Sequence, residues 1–96
     1  MKIGVVGTGE MGLAMAGHLL DKGFAVSAFD VSAERSELAR QRGLAVAGSL
    51  GELAGAADTF ILVVATDDQV VAVSEELARS APDHATIVVA ATISEL

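Results

Sequence analysis

Gly7, Gly9 and Gly12 stand at G-x-G-x-x-G spacing in the run Gly7-Thr8-Gly9-Glu10-Met11-Gly12, directly after the short apolar run of Ile3, Val5 and Val6. Glycines so placed have separate mechanical uses. The first permits a tight strand-to-helix turn, the second leaves room for a pyrophosphate, and the third lets the following helix approach the strand closely. The N–H groups at the start of that helix point toward the turn, and the helix macrodipole favours negative charge there. An acidic chain can therefore hold phosphates without a lysine in the loop. Asp30 ends the next apolar run, where its carboxylate can accept hydrogen bonds from ribose hydroxyls. Together, these residues describe a dinucleotide cradle. Two plainer readings use the same residues: a glycine-rich turn that holds no ligand, and an acid that only opens the turn before Ser32.

The cradle needs a strand, a helix and a second strand, and two hydrophobic periods alternate along the chain to supply them. Met11, Met15, Leu19 and Leu20 share one helical face, and Gly23 stops that helix at the C′ position. A strand is predicted over 24–29, then a helix over 33–42 with Ser32 as N-cap and Gly43 as its end. A brief strand over 44–46 precedes Ser49-Leu50-Gly51-Glu52, a capping box opening a short helix weakened by Gly51 and Gly55. The most strand-like segment is 59–64. Thr66-Asp67-Asp68-Gln69 offers another capping box before the helix of Val70, Val71, Val73, Leu77 and Ala78, and Pro82 breaks that helix before a strand over 86–90. Continuous apolar strands alternating with helices imply a parallel sheet covered on both faces. The expected fold is an α/β, Rossmann-type, doubly wound three-layer domain of five strands in the order 3-2-1-4-5.

Composition narrows the possibilities further. Ninety-six residues, 52% of them hydrophobic, suffice for one layered domain spanning 1–96, and neither repeats nor low-complexity runs interrupt it. The apolar runs are too short to span a bilayer, and Met1-Lys2 leads into a strand with no secretory segment, so a soluble cytoplasmic protein is expected. With no cysteine and only His18 and His84, neither a disulfide framework nor a metal site is expected. A formal charge of −7 disfavours nucleic acid and anionic membranes as partners.

The run Gly7-Thr8-Gly9-Glu10-Met11-Gly12-Leu13-Ala14-Met15-Ala16-Gly17-His18-Leu19, followed by Gly23 and Asp30, resembles the amino-terminal cofactor domain of the 3-hydroxyisobutyrate and related β-hydroxyacid dehydrogenases. That domain is shared with the 6-phosphogluconate dehydrogenases. The pairing of Met11-Gly12 with Met15-Ala16 is more specific than the glycines. The likeness extends along the whole chain through Ala57-Asp58 and Ala91-Thr92-Ile93-Ser94. The resemblance implies that Gly7, Gly9, Glu10, Met11 and Gly12 form the phosphate turn, with Met11 giving backbone at the pyrophosphate. It further implies that Val64 and Ala65 border the adenosine and that Thr92 lies near the nicotinamide ribose. Ordinary helix-to-sheet packing is the plainer use of Met11 and Met15.

The chain departs from that family where the substrate would sit. Val64-Ala65 replaces the usual leucine-proline pair, and Val89, Ala91, Thr92 and Glu95 stand where an aspartate, a substrate-binding serine, a threonine and a proline are typical. Neither Lys2 nor Lys22 matches the family's catalytic lysine, which lies farther along the chain than these residues reach. The expectation is therefore a truncated cofactor domain with no catalytic residue of its own and no helical catalytic domain. It prefers NAD to NADP because Asp30 would oppose a 2′-phosphate, and it meets a small hydroxyacid only within a longer parent. The open sheet edge at 86–91 predicts homo-oligomers. A second function class is a non-catalytic NAD sensor similar to the regulatory domains of potassium transport systems, which share the glycine turn and the acid; Asp67-Asp68 fits it loosely.

Overall fold

The apolar runs and the helical stretches between them form alternating strands and helices in a computed structural model, which describes residues 2–7, 10–63, 67–80 and 85–89. In chain order these are β1 (Lys2–Val6), α1 (Glu10–Asp21), β2 (Ala25–Phe29), α2 (Ala33–Gln41), β3 (Ala45–Val46), α3 (Leu50–Ala56), β4 (Thr59–Leu62), α4 (Asp67–Ser80) and β5 (Thr86–Val89). Every strand pairing among the described residues is parallel, and the sheet order is β3-β2-β1-β4-β5, as the alternation of periods predicted. The fold is a Rossmann-like α/β sheet flanked by helices.

Successive residues of a strand point to opposite faces, so β1 feeds two cores. Ile3 and Val5 join Val26 and Ala28 under Leu13 and Ala16 of α1 and Ala39 of α2. Val6 joins Phe60 and Leu62 under Leu53 and Ala54 of α3 and Leu77 of α4. Gly4, on the second face, leaves the space that Phe60 and Leu53 fill, since a Cβ there would lie 3.0 Å from the Phe60 ring and 3.1 Å from Leu53 Cγ.

The helix ends follow the capping residues. Gly23 and Gly43 both take positive φ, 95° and 87°. Each closes a Schellman motif: the Gly23 N–H donates to Leu20 O (3.0 Å) and the Phe24 N–H to Leu19 O (3.2 Å), while the Gly43 N–H donates to Arg40 O (2.9 Å) and the Leu44 N–H to Ala39 O (3.1 Å). These caps explain why β2 and β3 begin one residue later than their sequences predict: Phe24 and Leu44 give their N–H groups to the preceding helix. Ser49 accepts from the Glu52 N–H (3.1 Å), and the Glu52 carboxylate accepts from the Gly48 N–H (2.8 Å), so the predicted box closes one residue upstream of the cap. Thr66, Pro82 and the last predicted residue of β5 lie outside the described residues.

Two local expectations need correction. Strand β4 ends at Leu62, two residues before the predicted end, although the Val63 N–H still donates to Val6 O (2.8 Å). On α1 the buried stripe is Gly12, Leu13 and Ala16, with Leu19 and Leu20 packed against it. Met11 is 46% exposed, and Met15 is half-buried. The helix rests on the sheet side through Gly12, and that close approach turns the Met11 position outward.

Candidate cofactor site

The site begins where the direction of chain winding reverses. Strand β1 lies between β2 and β4, and its carboxyl end is the point at which open α/β sheets bind ligands. Gly7 leaves that end with φ 97°, a conformation that side chains disfavour. Its N–H donates to Phe29 O at 2.9 Å, which ties the end of β1 to the end of β2. A Cβ on Gly7 would run into the carbonyl oxygen of Val63, just after β4, and a Cβ on Gly12 would run into the carbonyl oxygen of Gly7. Three backbones are thus stacked with no side chain between them: Val63, Gly7 and the first turn of α1. That stack sets the helix's amino end against the sheet, and the N–H groups of a helix's first turn have no partner within the helix itself. The arrangement suits an anion.

Asp30 follows β2 directly, and the pairing of Val6 with Phe29 sets it beside Gly7. Its Oδ1 accepts from the Ser32 N–H at 2.8 Å, and its carbonyl accepts from Ser36 Oγ at 3.3 Å. Ser32 also caps α2, its hydroxyl accepting from the Arg35 N–H at 3.3 Å. The carboxylate is thereby held at the carboxyl end of β2, and a carboxylate has acceptor sites for several donors. Ribose hydroxyls are suitable donors.

The structure brings together Gly7, Gly12 and Asp30, and it places Glu10 and Met11 in the first turn of α1. Gly9, Val64, Ala65 and Thr92 lie outside the described residues. Two contributors escaped the sequence reading. Val63 acts through its backbone, for which sequence carries no signal. Ser36 lies one helical turn beyond the N-cap, on the side of α2 that faces back to Asp30, and a serine at that spacing was the available clue.

The residues fit a dinucleotide on three observations: a glycine turn whose close contacts admit no side chain, a helix amino end set against the sheet, and a pinned carboxylate on the neighbouring strand. No helix among the described residues is long and apolar enough to cross a membrane.

Comparison with known proteins agrees with this geometry. A 3-hydroxyisobutyrate dehydrogenase-like protein of Arabidopsis thaliana, described as mitochondrial, is 35% identical over 63 residues, which make up 66% of this chain and 19% of that protein. The 3-hydroxyisobutyrate dehydrogenase of Mycobacterium tuberculosis, solved with L-serine, superposes with a TM-score of 0.91 at 28% identity, over 97% of this chain and 32% of its own. That of Salmonella typhimurium gives a TM-score of 0.85 at 27% identity, over 98% of this chain and 34% of its own. The chain thus spans about a third of the length of those structures. Residues 2–95 match the family described as the NAD binding domain of 6-phosphogluconate dehydrogenase. Since that match runs through every element of the fold, the chain belongs to this family of NAD-binding domains.

Proposed function

We propose that this chain holds a dinucleotide for hydride transfer in a β-hydroxyacid dehydrogenase of the 3-hydroxyisobutyrate type, and that it prefers NAD to NADP. The observation that carries the reading is the stack of Val63, Gly7 and Gly12 beside a pinned Asp30. In this reading the pyrophosphate rests on the amino end of α1, where Glu10 and Met11 give backbone N–H groups and Gly9 leaves the space open. Asp30 accepts from the adenosine ribose, Val64 and Ala65 border the adenosine, and Thr92 lies near the nicotinamide ribose. When bound, the nicotinamide ring supplies the hydride chemistry; the residues of this chain bind and orient. The named dehydrogenase relatives favour this reading over that of a sensor.

A proton must also leave or reach the substrate hydroxyl, and no residue here is assigned to that task. Lys2 opens β1 and Lys22 follows α1, both at the end of the sheet opposite the glycine turn. By itself the chain therefore binds cofactor without turnover. A hydroxyacid is taken only in a longer parent that supplies the missing group, and the domain 1–96 works as the cofactor part of that parent in the cytoplasm. Copies associate through the open edge of β5, whose strand carries no charge.

Calorimetric titration tests the reading. NAD should bind at least about tenfold more tightly than NADP, about 1.4 kcal/mol, because a 2′-phosphate would meet the Asp30 carboxylate. Asp30→Ala should remove most of that preference, and Gly9→Val should abolish binding with little change in melting temperature. Equal affinities for the two cofactors in the unaltered chain would take Asp30 out of this role, and NAD binding that survives in Gly9→Val would return the glycine turn to a purely structural part.

A further inference from the structure

We infer that Met11 is an oxidation site that couples dinucleotide binding to hydroperoxides: reaction at its thioether sulfur puts a polar oxygen at the amino end of α1 and reversibly weakens the hold on the pyrophosphate. The inference rests on the dinucleotide reading above. Leu13 and Ala16 of α1 are buried, and Leu19 and Leu20 pack against the core, while Met11 is 46% exposed. An exposed methionine on a helix that could roll is unremarkable. This helix cannot roll. A Cβ at Gly12 would run into the Gly7 carbonyl oxygen, and one at Gly7 into that of Val63, so turning α1 to bury Met11 would put a side chain where only Gly12 fits. The stack that makes the cradle therefore keeps Met11 in the open. Helical side chains lean toward the amino end, so Met11 covers surface on the phosphate side of its own Cα.

The sequence has no cysteine, so no thiolate competes for peroxide, and Met15, one turn along the same helix and half-buried, is an internal reference. A lone pair of Met11 Sδ attacks the outer oxygen of a hydroperoxide. The S–O bond forms as the O–O bond breaks, and the proton of the transferred oxygen passes to the departing one, which leaves as water or an alcohol. Sulfur is oxidised by two electrons and the peroxide is reduced by two. A dithiol reverses the change, taking the oxygen off as water and becoming a disulfide. A thioether is only a weak hydrogen-bond acceptor. The sulfoxide oxygen accepts strongly and carries the negative end of the S–O dipole, so it competes for the N–H groups of the first turn and repels a pyrophosphate.

The test treats the unaltered chain with limiting hydrogen peroxide, assigns the oxidised sulfur by fragment-ion mass spectrometry, and titrates NAD by calorimetry before and after. Met11 should oxidise at least about fivefold faster than Met15, and bound NAD should slow its oxidation. The chain oxidised at Met11 should bind NAD about tenfold more weakly with an unchanged melting temperature, and methionine sulfoxide reductase with dithiothreitol should restore the affinity. Peroxide should weaken Met15→Leu by the same factor and change the affinity of Met11→Leu by less than about twofold. Equal oxidation of the two methionines, or an unchanged NAD affinity after oxidation at Met11, would overturn the inference and leave the dinucleotide reading intact. A loss that persists in Met11→Leu, or a fall in melting temperature on oxidation, would overturn it by tracing the effect to another residue or to unfolding. Failure of the untreated chain to bind NAD at all would overturn both.

Discussion

Strands β1 and β5 are similar as sequences, Lys2-Ile3-Gly4-Val5-Val6 against Thr86-Ile87-Val88-Val89, and both pair in parallel with β4. In β1, Ile3, Gly4, Val5 and Val6 are all buried, while all four residues of β5 are exposed. By register, Ile87 and Val89 continue the Phe60 and Leu62 face, and Val88 continues the face of Ile61. Hydrophobic residues become core only where neighbours stand on both faces and both edges; β1 has all four, and β5 has one paired edge among the described residues. The contrast separates the middle of the sheet, where β1 is buried, from the outermost strand on the β4 side among the described residues.

Substitution can break or sharpen this contrast. The largest effect is expected in the packed middle of the sheet. Phe60→Ala empties the space between Leu53 and Gly4 and should cost about 3–5 kcal/mol in chemical denaturation. Gly12→Ala should cost about 1–3 kcal/mol, because its methyl group meets the Gly7 carbonyl and pushes α1 from the stack. Circular dichroism melts of Gly7→Ala and Gly12→Ala should both fall, and a Gly12→Ala protein as stable as the original would show that the helix can move away without loss.

Gly17, on the same helix, has nothing within 4 Å of the point where a methyl group would sit. Gly17→Ala should therefore stabilise by about 0.5–1 kcal/mol, so that two glycines of one helix respond with opposite signs. The smallest effect is expected at the open end. Val88→Lys should change stability by less than about 0.5 kcal/mol while reducing any self-association seen by sedimentation. A loss of several kcal/mol there would mean that β5 is covered in solution, and the contrast between the two strands would disappear.

Much of the packed middle of the sheet was legible in the residues. Strand order follows from alternating periods, and Ser32, Ser49, Gly23 and Gly43 mark helix ends with side-chain chemistry that operates locally. Gly7, Gly12 and Asp30 carry a spacing with a mechanical meaning. What sequence left out depends on partners far along the chain. Met11 shares a helical face with Leu19 in projection, but the helix settles on Gly12, and the depth of that approach is set by the carbonyl of Gly7. The Val63 carbonyl takes part through backbone alone. The starts of β2 and β3 shift because Phe24 and Leu44 are claimed by caps, an outcome decided by competition between helix and sheet for one N–H group.

The two Schellman glycines have a use of their own. Gly23 and Gly43 both sit where a helix turns back into a strand, at the rim of the sheet opposite Gly7 and Asp30, and no atom approaches the place where a side chain would start on either. The molecule therefore has a working pole and a service pole. A tether, a label or an inserted segment at the Gly43 corner would leave the opposite rim unobstructed, so the domain can be immobilised on a surface with the Gly7 turn and Asp30 facing outward.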